Sequence, residues 1–266
     1  MPALWSSACP PDSPMRTAFD NDARYHSPDS FLHAPKSFIA DHRASMNPCQ
    51  TPLLAHISTL LDHPQGLPPT KAFIPEFTRS KTLLHSGIMG IPTEDRMQEP
   101  EDTIPFRDKK DDRLLWRGRT TGVDMQPDRA WNMSHRLRFV EFANRMDGHA
   151  WVLPPPKKLE DSVRPAKKWG LRELNNWFFD AAFVDAAQCA PQICKEIKEK
   201  YRMEKMMYPD QEKHYKYVMD MDGNGVSSDM IARVCVVNVV TAWSSRFRRL
   251  VNRKVVIFKS TIHPEW

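Results

Sequence analysis

The chain has 266 residues, of which 41% are apolar and 27% are charged, and its net charge is +5. This composition is typical of a globular protein, and the charge lies in mixed-sign segments such as "RDKKDDR" rather than in one basic stripe. A nucleic-acid-binding protein is therefore disfavoured. Because no apolar run reaches the ~20 residues of a membrane span and no signal-peptide pattern opens the chain, the sequence predicts neither a span nor a targeting segment.

The first part of the chain, residues 1–104, is rich in proline. Most of the 23 prolines fall there or in "VLPPPKK", so chain breakers separate short apolar runs. One helix is predicted at "PLLAHISTLLDH", where Leu53, Leu54, Ile57 and the following leucines recur at helical spacing. We expect residues 1–104 to form one domain and residues 105–266 a second.

The second part of the chain alternates strand and helix patterns. In chain order these are a strand "RLLWRG", a helix "SHRLRFVEFANRM", a strand "HAWVL", a segment "DAAFVDA" that fits either state, a charged helix over 190–207, a strand "YKYVMDM", a helix "SSRFRRLVNR" and a strand "KVVIFKST". Such alternation predicts an α/β fold with an open parallel sheet. Ligands of such sheets bind at the carboxyl ends of strands, where "RGRTTG" and "DMDGNG" would lie.

Five cysteines, Cys9, Cys49, Cys189, Cys194 and Cys235, are present without the paired spacing of a zinc site. Five buried thiols in a reducing compartment would explain them. The odd count fits full disulfide pairing poorly, unless one cysteine is set aside. The residues alone leave both interpretations open.

The segment "DMDGNGVSSDMI" begins like a calcium-binding EF-hand loop. Asp220, Asp222, Asn224 and Gly225 satisfy loop positions one, three, five and six. Position twelve is Ile231, which cannot coordinate calcium, and the following "ARVCVVNVV" is typical of a strand rather than of an exiting helix. Calcium binding is therefore a minor alternative.

Two other interpretations of this segment concern a nucleotide. Asp220 and Asp222 form an Asp-x-Asp pair, with which many glycosyltransferases hold manganese on a nucleotide diphosphate. The other interpretation is a strand end at which Gly223 and Gly225, lacking a Cβ, let the backbone approach a phosphate. The sequence favours the glycine interpretation.

Three motifs in one order carry a family resemblance. "LLWRGRTTG", "KYVMDMDGNG" and "WSSRFRRL" followed by "VVIFKSTIHPEW" resemble glycosyltransferase family 90, the capsule-associated and protein O-glucosyltransferase group, and especially its fungal branch. The resemblance implies a GT-B architecture of two Rossmann-like domains and transfer of xylose or glucose from UDP to a glycan or protein hydroxyl. It also implies no bound metal and a place in the secretory pathway, often as a Golgi membrane protein.

The resemblance assigns roles in the first motif. Arg117 would contact the donor diphosphate, since a guanidinium matches phosphate geometry with paired donors. Gly118, Thr120 and Thr121 would make backbone and hydroxyl contacts ahead of a helix N-terminus, which itself favours an anion.

The later motifs complete the implied donor site. Ser245, Arg246 and Phe247 match the family's Ser-x-Arg-Phe segment, in which the arginine faces the diphosphate. Two arginines would then offset the charge on the UDP leaving group, as manganese does in metal-dependent enzymes. In this interpretation Asp220 and Asp222 shape the loop and bind no metal.

The chain departs from the family in ways that leave the catalytic base unnamed. The family places a carboxylate base upstream of the segments matched here, and it usually has Asp at the position of Gly87. We expect both ends of the family's fold to be incomplete in this chain, and a non-catalytic nucleotide-binding or glycan-binding remnant is the alternative function. The secretory location implies disulfides between Cys9 and Cys49 and between Cys189 and Cys194.

A further departure is the segment Val226 to Ala242, which separates the glycine loop from Ser-x-Arg-Phe. Its removal would join Gly225 to Trp243 and restore the family's spacing. We hypothesise that 226–242 is an aberrant insertion, a translated intron, which would also explain why Cys235 stands apart. A genuine loop insertion is the alternative, because long surface insertions cost little closure entropy.

Overall fold

The structure is a computed structural model that describes residues 8–20, 41–52, 54, 73, 75, 77–78, 84–86, 88–89, 103–152, 165–223 and 254–260. The predicted helix at "PLLAHISTLLDH" lies mostly outside these ranges, and so do the predicted helix "SSRFRRLVNR" and the segment 226–242. The two-domain division and the insertion hypothesis therefore stay predictions.

Two short helices and a pair of two-residue strands are described before residue 103. They are α1 (Pro14–Asp20), α2 (His42–Ser45), β1 (Phe77–Thr78) and β2 (Ile88–Met89), and β1 and β2 pair in parallel. A small core joins Cys9, Met15 and Cys49, with Leu84 packed against it.

The remaining elements belong to the second part of the chain. They are β3 (Asp111–Arg119), α3 (His135–Asn144), β4 (His149–Val152), β5 (Lys167–Gly170), α4 (Leu171–Phe178), β6 (Phe179–Asp185), α5 (Pro191–Lys200), α6 (Pro209–Glu212), β7 (Tyr215–Met221) and β8 (Val256–Ser260). Short 3-10 turns, Phe106–Asp108 and Trp131–Met133, precede β3 and α3.

The main sheet has four parallel strands in the order β6, β3, β7, β8, which makes this an α/β fold. At the outer edge of β6 a single parallel bridge joins Phe183 to Met203, so a reduced fifth strand extends the sheet. Numbered along the chain, the spatial order is therefore 3-2-1-4-5. In sheets of this doubly wound order the direction of winding reverses between the first and fourth strands, here β3 and β7.

The central strand β3 is buried because both of its faces are covered. Side chains alternate across a strand, so Trp116 packs with Ala181, Leu137 and Val140 on the face covered by α3, while Leu115 packs with Val218 on the other. The apolar residues of α3 thus cover the face of the sheet that carries Trp116.

Three predicted elements need comment. The undecided segment "DAAFVDA" belongs to strand β6. The helix predicted over 190–207 is wrong in length, because α5 ends at Lys200 and the backbone around Met203 pairs with Phe183 instead. Strand β4 forms, but it pairs antiparallel with β5 in a separate hairpin rather than joining the main sheet. None of the described helices is long and apolar enough to cross a membrane.

Candidate functional site

The switch point of the sheet brings two of the predicted motifs together. β3 ends at Arg119 and β7 ends at Met221, and these neighbouring strands are parallel, so their carboxyl ends share one edge. This is the edge at which doubly wound sheets bind ligands. The structure thus places "RGRTTG" and the described part of "DMDGNG" side by side, as the alternation of elements predicts.

The loops after β3 and β7 touch through two glycines. Gly122 has φ +108°, and a Cβ built on it would lie 3.2 Å from the carbonyl oxygen of Gly223. A Cβ on Gly223 would lie 3.0 Å from Nη2 of Arg136 and 3.2 Å from Oγ1 of Thr121. Approach to a phosphate is the predicted reason for Gly223, whereas the structure gives a reason within the chain: the two loops pack on each other.

A buried guanidinium holds both loops. Arg136, 3% exposed, donates from Nη1 to the carbonyl oxygen of Arg119 at 2.8 Å and to Oγ1 of Thr121 at 2.9 Å. From Nη2 and Nε it donates to the carbonyl oxygens of Met221 and Asp222 at 2.8 and 2.9 Å. One side chain therefore binds the end of β3 and the end of β7.

Sequence reasoning overlooked Arg136, although a signal for it was present. His135 and Arg136 open helix α3, where the helix dipole disfavours positive charge. A basic residue at that position needs nearby acceptors, and Nε2 of His135 donates to the carbonyl oxygen of Asp222 at 2.8 Å. Two basic side chains at the start of a helix after a glycine loop could therefore have indicated bound carbonyl groups.

The other residues predicted from the first motif have partners within the chain. Thr120 is fully buried, and its hydroxyl donates to the carbonyl oxygen of Ala187 and accepts from the Ala187 amide, each at 2.8 Å. This ties β3 to the segment after β6. At Gly118 a Cβ would lie 2.7 Å from Cζ2 of Trp116, so glycine here makes room for the indole. Thr121 is half-buried in the loop after β3, where its hydroxyl accepts from Arg136.

Arg117 lies on the opposite face of β3 from Trp116, in a buried ionic network. Its Nη2 lies 2.8 Å from Oδ1 of Asp180, and the side chains of Arg117 and Asp180 are 7% and 6% exposed. Two more arginines approach the same carboxylate, Arg202 at 3.1 Å and Arg113 at 3.7 Å. The hydroxyl of Tyr215 donates to Oδ2 of Asp180 at 2.5 Å. Asp180 is thus the anionic centre of this face of the sheet.

The protonation of this network follows from its contacts. Burial acts to raise the pKa of Asp180, but the hydrogen bonds from Tyr215 and Arg117 and the charges of Arg117 and Arg202 outweigh it, so the pKa lies below its ordinary value. Burial and the bond to Asp180 raise the pKa of Tyr215. Asp180 is therefore ionised and Tyr215 neutral at physiological pH.

The two acidic residues of the glycine motif are buried. Asp220 is 1% exposed and lies within β7, paired with Lys259 of β8, and Asp222 is 0% exposed. Asp220 is thus paired in a sheet, whereas an EF-hand places its first ligand at the start of a turning loop. The remainder of that loop, from residue 224, lies outside the described residues, so the calcium alternative stays a prediction. Within the described ranges, no group of three or more His, Cys, Asp or Glu side chains could hold a metal ion.

The N-terminus of α3 adds a polar group to the same edge. Ser134 precedes the ten-residue helix as its N-cap and is fully buried. Its hydroxyl makes no hydrogen bond within the part of the chain that the structure describes. An N-cap hydroxyl usually accepts from an amide of the first turn; here it does not.

Two disulfides join the cysteine pairs that the family resemblance implies. Cys9 and Cys49 are bonded, and so are Cys189 and Cys194. The second disulfide ties the first turn of α5 to Cys189, which also forms a backbone bridge with Met125. It therefore links α5 to the segment that pairs with the loop after β3.

Four predicted donor-site residues lie outside the described residues: Gly225, Ser245, Arg246 and Phe247. Their roles stay predictions. Comparisons with known proteins give no match to this chain, whether with family models, curated sequences or solved structures. The arrangement of the loops after β3 and β7 is therefore the basis for a functional proposal.

Proposed function

We propose that this chain is the sugar-nucleotide-binding part of a glycosyltransferase that resembles family 90. It would transfer xylose or glucose from UDP to a hydroxyl of a glycan or a protein. The observation that carries the proposal is the meeting of the loops after β3 and β7 at the switch point of a doubly wound sheet. These loops hold two of the three motifs on which the resemblance rests, although they are far apart in the sequence.

The carboxyl edge at the switch point offers suitable chemistry for a diphosphate. Helix α3 begins just after the loop that follows β3, and the positive end of its dipole favours an anion there. Thr121 lies half-buried at the end of β3 and adds a hydroxyl. Backbone amides of a helix start bind phosphate without sequence specificity, so the uridine and the sugar must be selected by other contacts.

The proposed enzyme stabilises the UDP leaving group with arginines and uses no metal. Arg246 is the predicted direct contact. Arg117 is also a predicted contact, and its buried pair with Asp180 gives it a second role in the stability of the sheet. A substitution of Arg117 should therefore affect stability as well as any donor affinity, whereas Arg246 should affect affinity.

The wider assignment follows the same resemblance. Residues 105–266 would be the nucleotide-binding Rossmann-like domain of a GT-B enzyme, and residues 1–104 would be part of the acceptor-side domain. The disulfides Cys9–Cys49 and Cys189–Cys194 support a secretory location, because such bonds persist in oxidising compartments.

Calorimetric titration of UDP into the full chain tests the proposal. We expect binding that is unchanged by EDTA or added calcium and is weakened at least about tenfold in Arg246→Ala, since charged hydrogen bonds to phosphate are the strong class. Arg138→Ala is the control, because Arg138 is an exposed arginine of α3. Absence of UDP binding by the folded chain would overturn the proposal. Loss of binding on chelation would instead favour the manganese-dependent Asp-x-Asp alternative.

A further inference from the structure

We propose that Arg136 is a positioning residue that fixes the loops after β3 and β7 relative to each other at the carboxyl edge of the sheet. Its effect on donor binding rests on the proposed function, whereas its effect on the loops does not. The proposal starts from the four hydrogen bonds of its guanidinium, two to the β3 side and two to the β7 side.

The shape of the guanidinium makes the two sides depend on each other. Its nitrogens lie in one rigid plane, so the acceptors on Arg119 and Thr121 cannot move relative to those on Met221 and Asp222 without breaking a bond. The paired register of β3 and β7 ends at Leu115 with Val218, before these loops begin. Beyond that pair, Arg136 cross-links the two strand ends.

The guanidinium of Arg136 also contacts the Trp116 ring and lies close to Gly223. Its Cζ lies 5.8 Å from the centre of the Trp116 ring, in a cation–π contact. The ring is in turn seated against Gly118, where a Cβ would approach it to 2.7 Å. On the β7 side, Gly223 leaves only enough room for Nη2, at 3.0 Å from its ideal Cβ position. These contacts support Arg136 in the position from which it binds both loops.

Lysine cannot replace Arg136 in this role, although it keeps the charge. An ammonium is a single point with three donors, whereas the four acceptors lie on two sides of a planar group that donates from three nitrogens. Arg136→Lys should therefore bind both sides weakly, because a single ammonium cannot reach all four acceptors at once. The spacing between the two loops is then no longer fixed, and both loops should open more often.

Hydrogen exchange on the full chain, with UDP affinity as the second readout, tests this proposal. In Arg136→Lys we expect amide exchange in peptides spanning 119–123 and 220–223 to accelerate together by about tenfold or more, because bonds with a charged donor are lost. Exchange in the core of β6 should stay unchanged, and UDP affinity should fall by a similar factor. Arg202→Lys is the control, since Arg202 contacts Asp180 on the other face and should leave both loops unchanged.

A second variant covers the case in which Arg136→Lys fails to fold. Thr121→Val removes one acceptor of Arg136 and should accelerate exchange in 119–123 while 220–223 stays protected. Unchanged exchange in 119–123 of Thr121→Val, or acceleration of one loop or neither in a folded Arg136→Lys, would overturn the positioning role. If the wild-type chain binds no UDP, the proposed function fails, and the exchange results still decide the role of Arg136.

Discussion

Substitution of Asp180 by asparagine should destabilise this protein more than any other single removal of charge from the network. Asp180→Asn leaves Arg117, whose side chain is 7% exposed, buried without its counter-charge. Breaking one side of a buried ion pair costs about 3–5 kcal/mol. The cost should stay in that range because the other two arginines retain an ion-pair partner. Arg113 remains paired with Asp111 at 2.6 Å, and Arg202 with Glu204 at 3.1 Å.

Chemical unfolding followed by circular dichroism at pH 7 measures this cost. A loss of about 3–5 kcal/mol corresponds to a melting temperature lower by roughly 6–20 °C for a domain of this size. Asp111→Asn is the matched control, because that pair is more exposed and should cost under about 1 kcal/mol. The double variant Arg117→Met with Asp180→Asn should recover part of the loss, since it removes both charges. Equal costs for the two single variants would refute the reasoning.

The same network predicts the direction of the acid response. The pKa of Asp180 in the folded protein lies below its ordinary value of 3.8. Its contribution is therefore complete above the unfolded pKa, about 3.9, and is lost as the pH falls through the folded pKa. The difference in unfolding free energy between wild type and Asp180→Asn should stay constant from pH 7 to about 5 and shrink below about 4. A difference that already shrinks between pH 7 and 5 would mean that burial has raised this pKa.

Two further predictions concern the glycine loops and the disulfides. Gly122→Ala should lower the free energy of unfolding by about 1–2 kcal/mol, because φ is +108° and the new Cβ would press on Gly223. The control Gly170→Ala has open space around it and should change stability by less than about 0.5 kcal/mol in the same unfolding assay. A similar cost for both would contradict the packing argument. Replacing the Cys9–Cys49 pair by serines should cost about 4 kcal/mol of stability, and replacing the Cys189–Cys194 pair about 2 kcal/mol. The first bond spans 40 residues and the second 5, and a bond that closes a longer loop restricts the unfolded chain more. The reverse order in denaturant titrations would show that loop entropy does not dominate.

The sequence by itself determined the local elements of the second part of the chain. Apolar runs bounded by polar turns predicted β3, β7 and β8, and the helical stretch after a polar turn predicted α3. The alternation of elements predicted an α/β sheet with both glycine motifs at its carboxyl edge. These features depend on periodicity and on chain breakers, which are properties of short segments. They could therefore be predicted before any contact was known.

Only the tertiary structure decided what the individual polar residues contact. Arg117 lies in β3 and Arg136 lies in α3, which follows the loop after β3. Arg117 is paired with Asp180, whereas Arg136 donates to four acceptors in two loops. Sequence spacing cannot distinguish them, because their partners come from strands that are neighbours only after the sheet has formed. The same holds for Gly122, whose close neighbour Gly223 comes from the loop after β7. A charged side chain takes its role from the acceptors that folding brings within reach, since burial without such partners is too costly to persist.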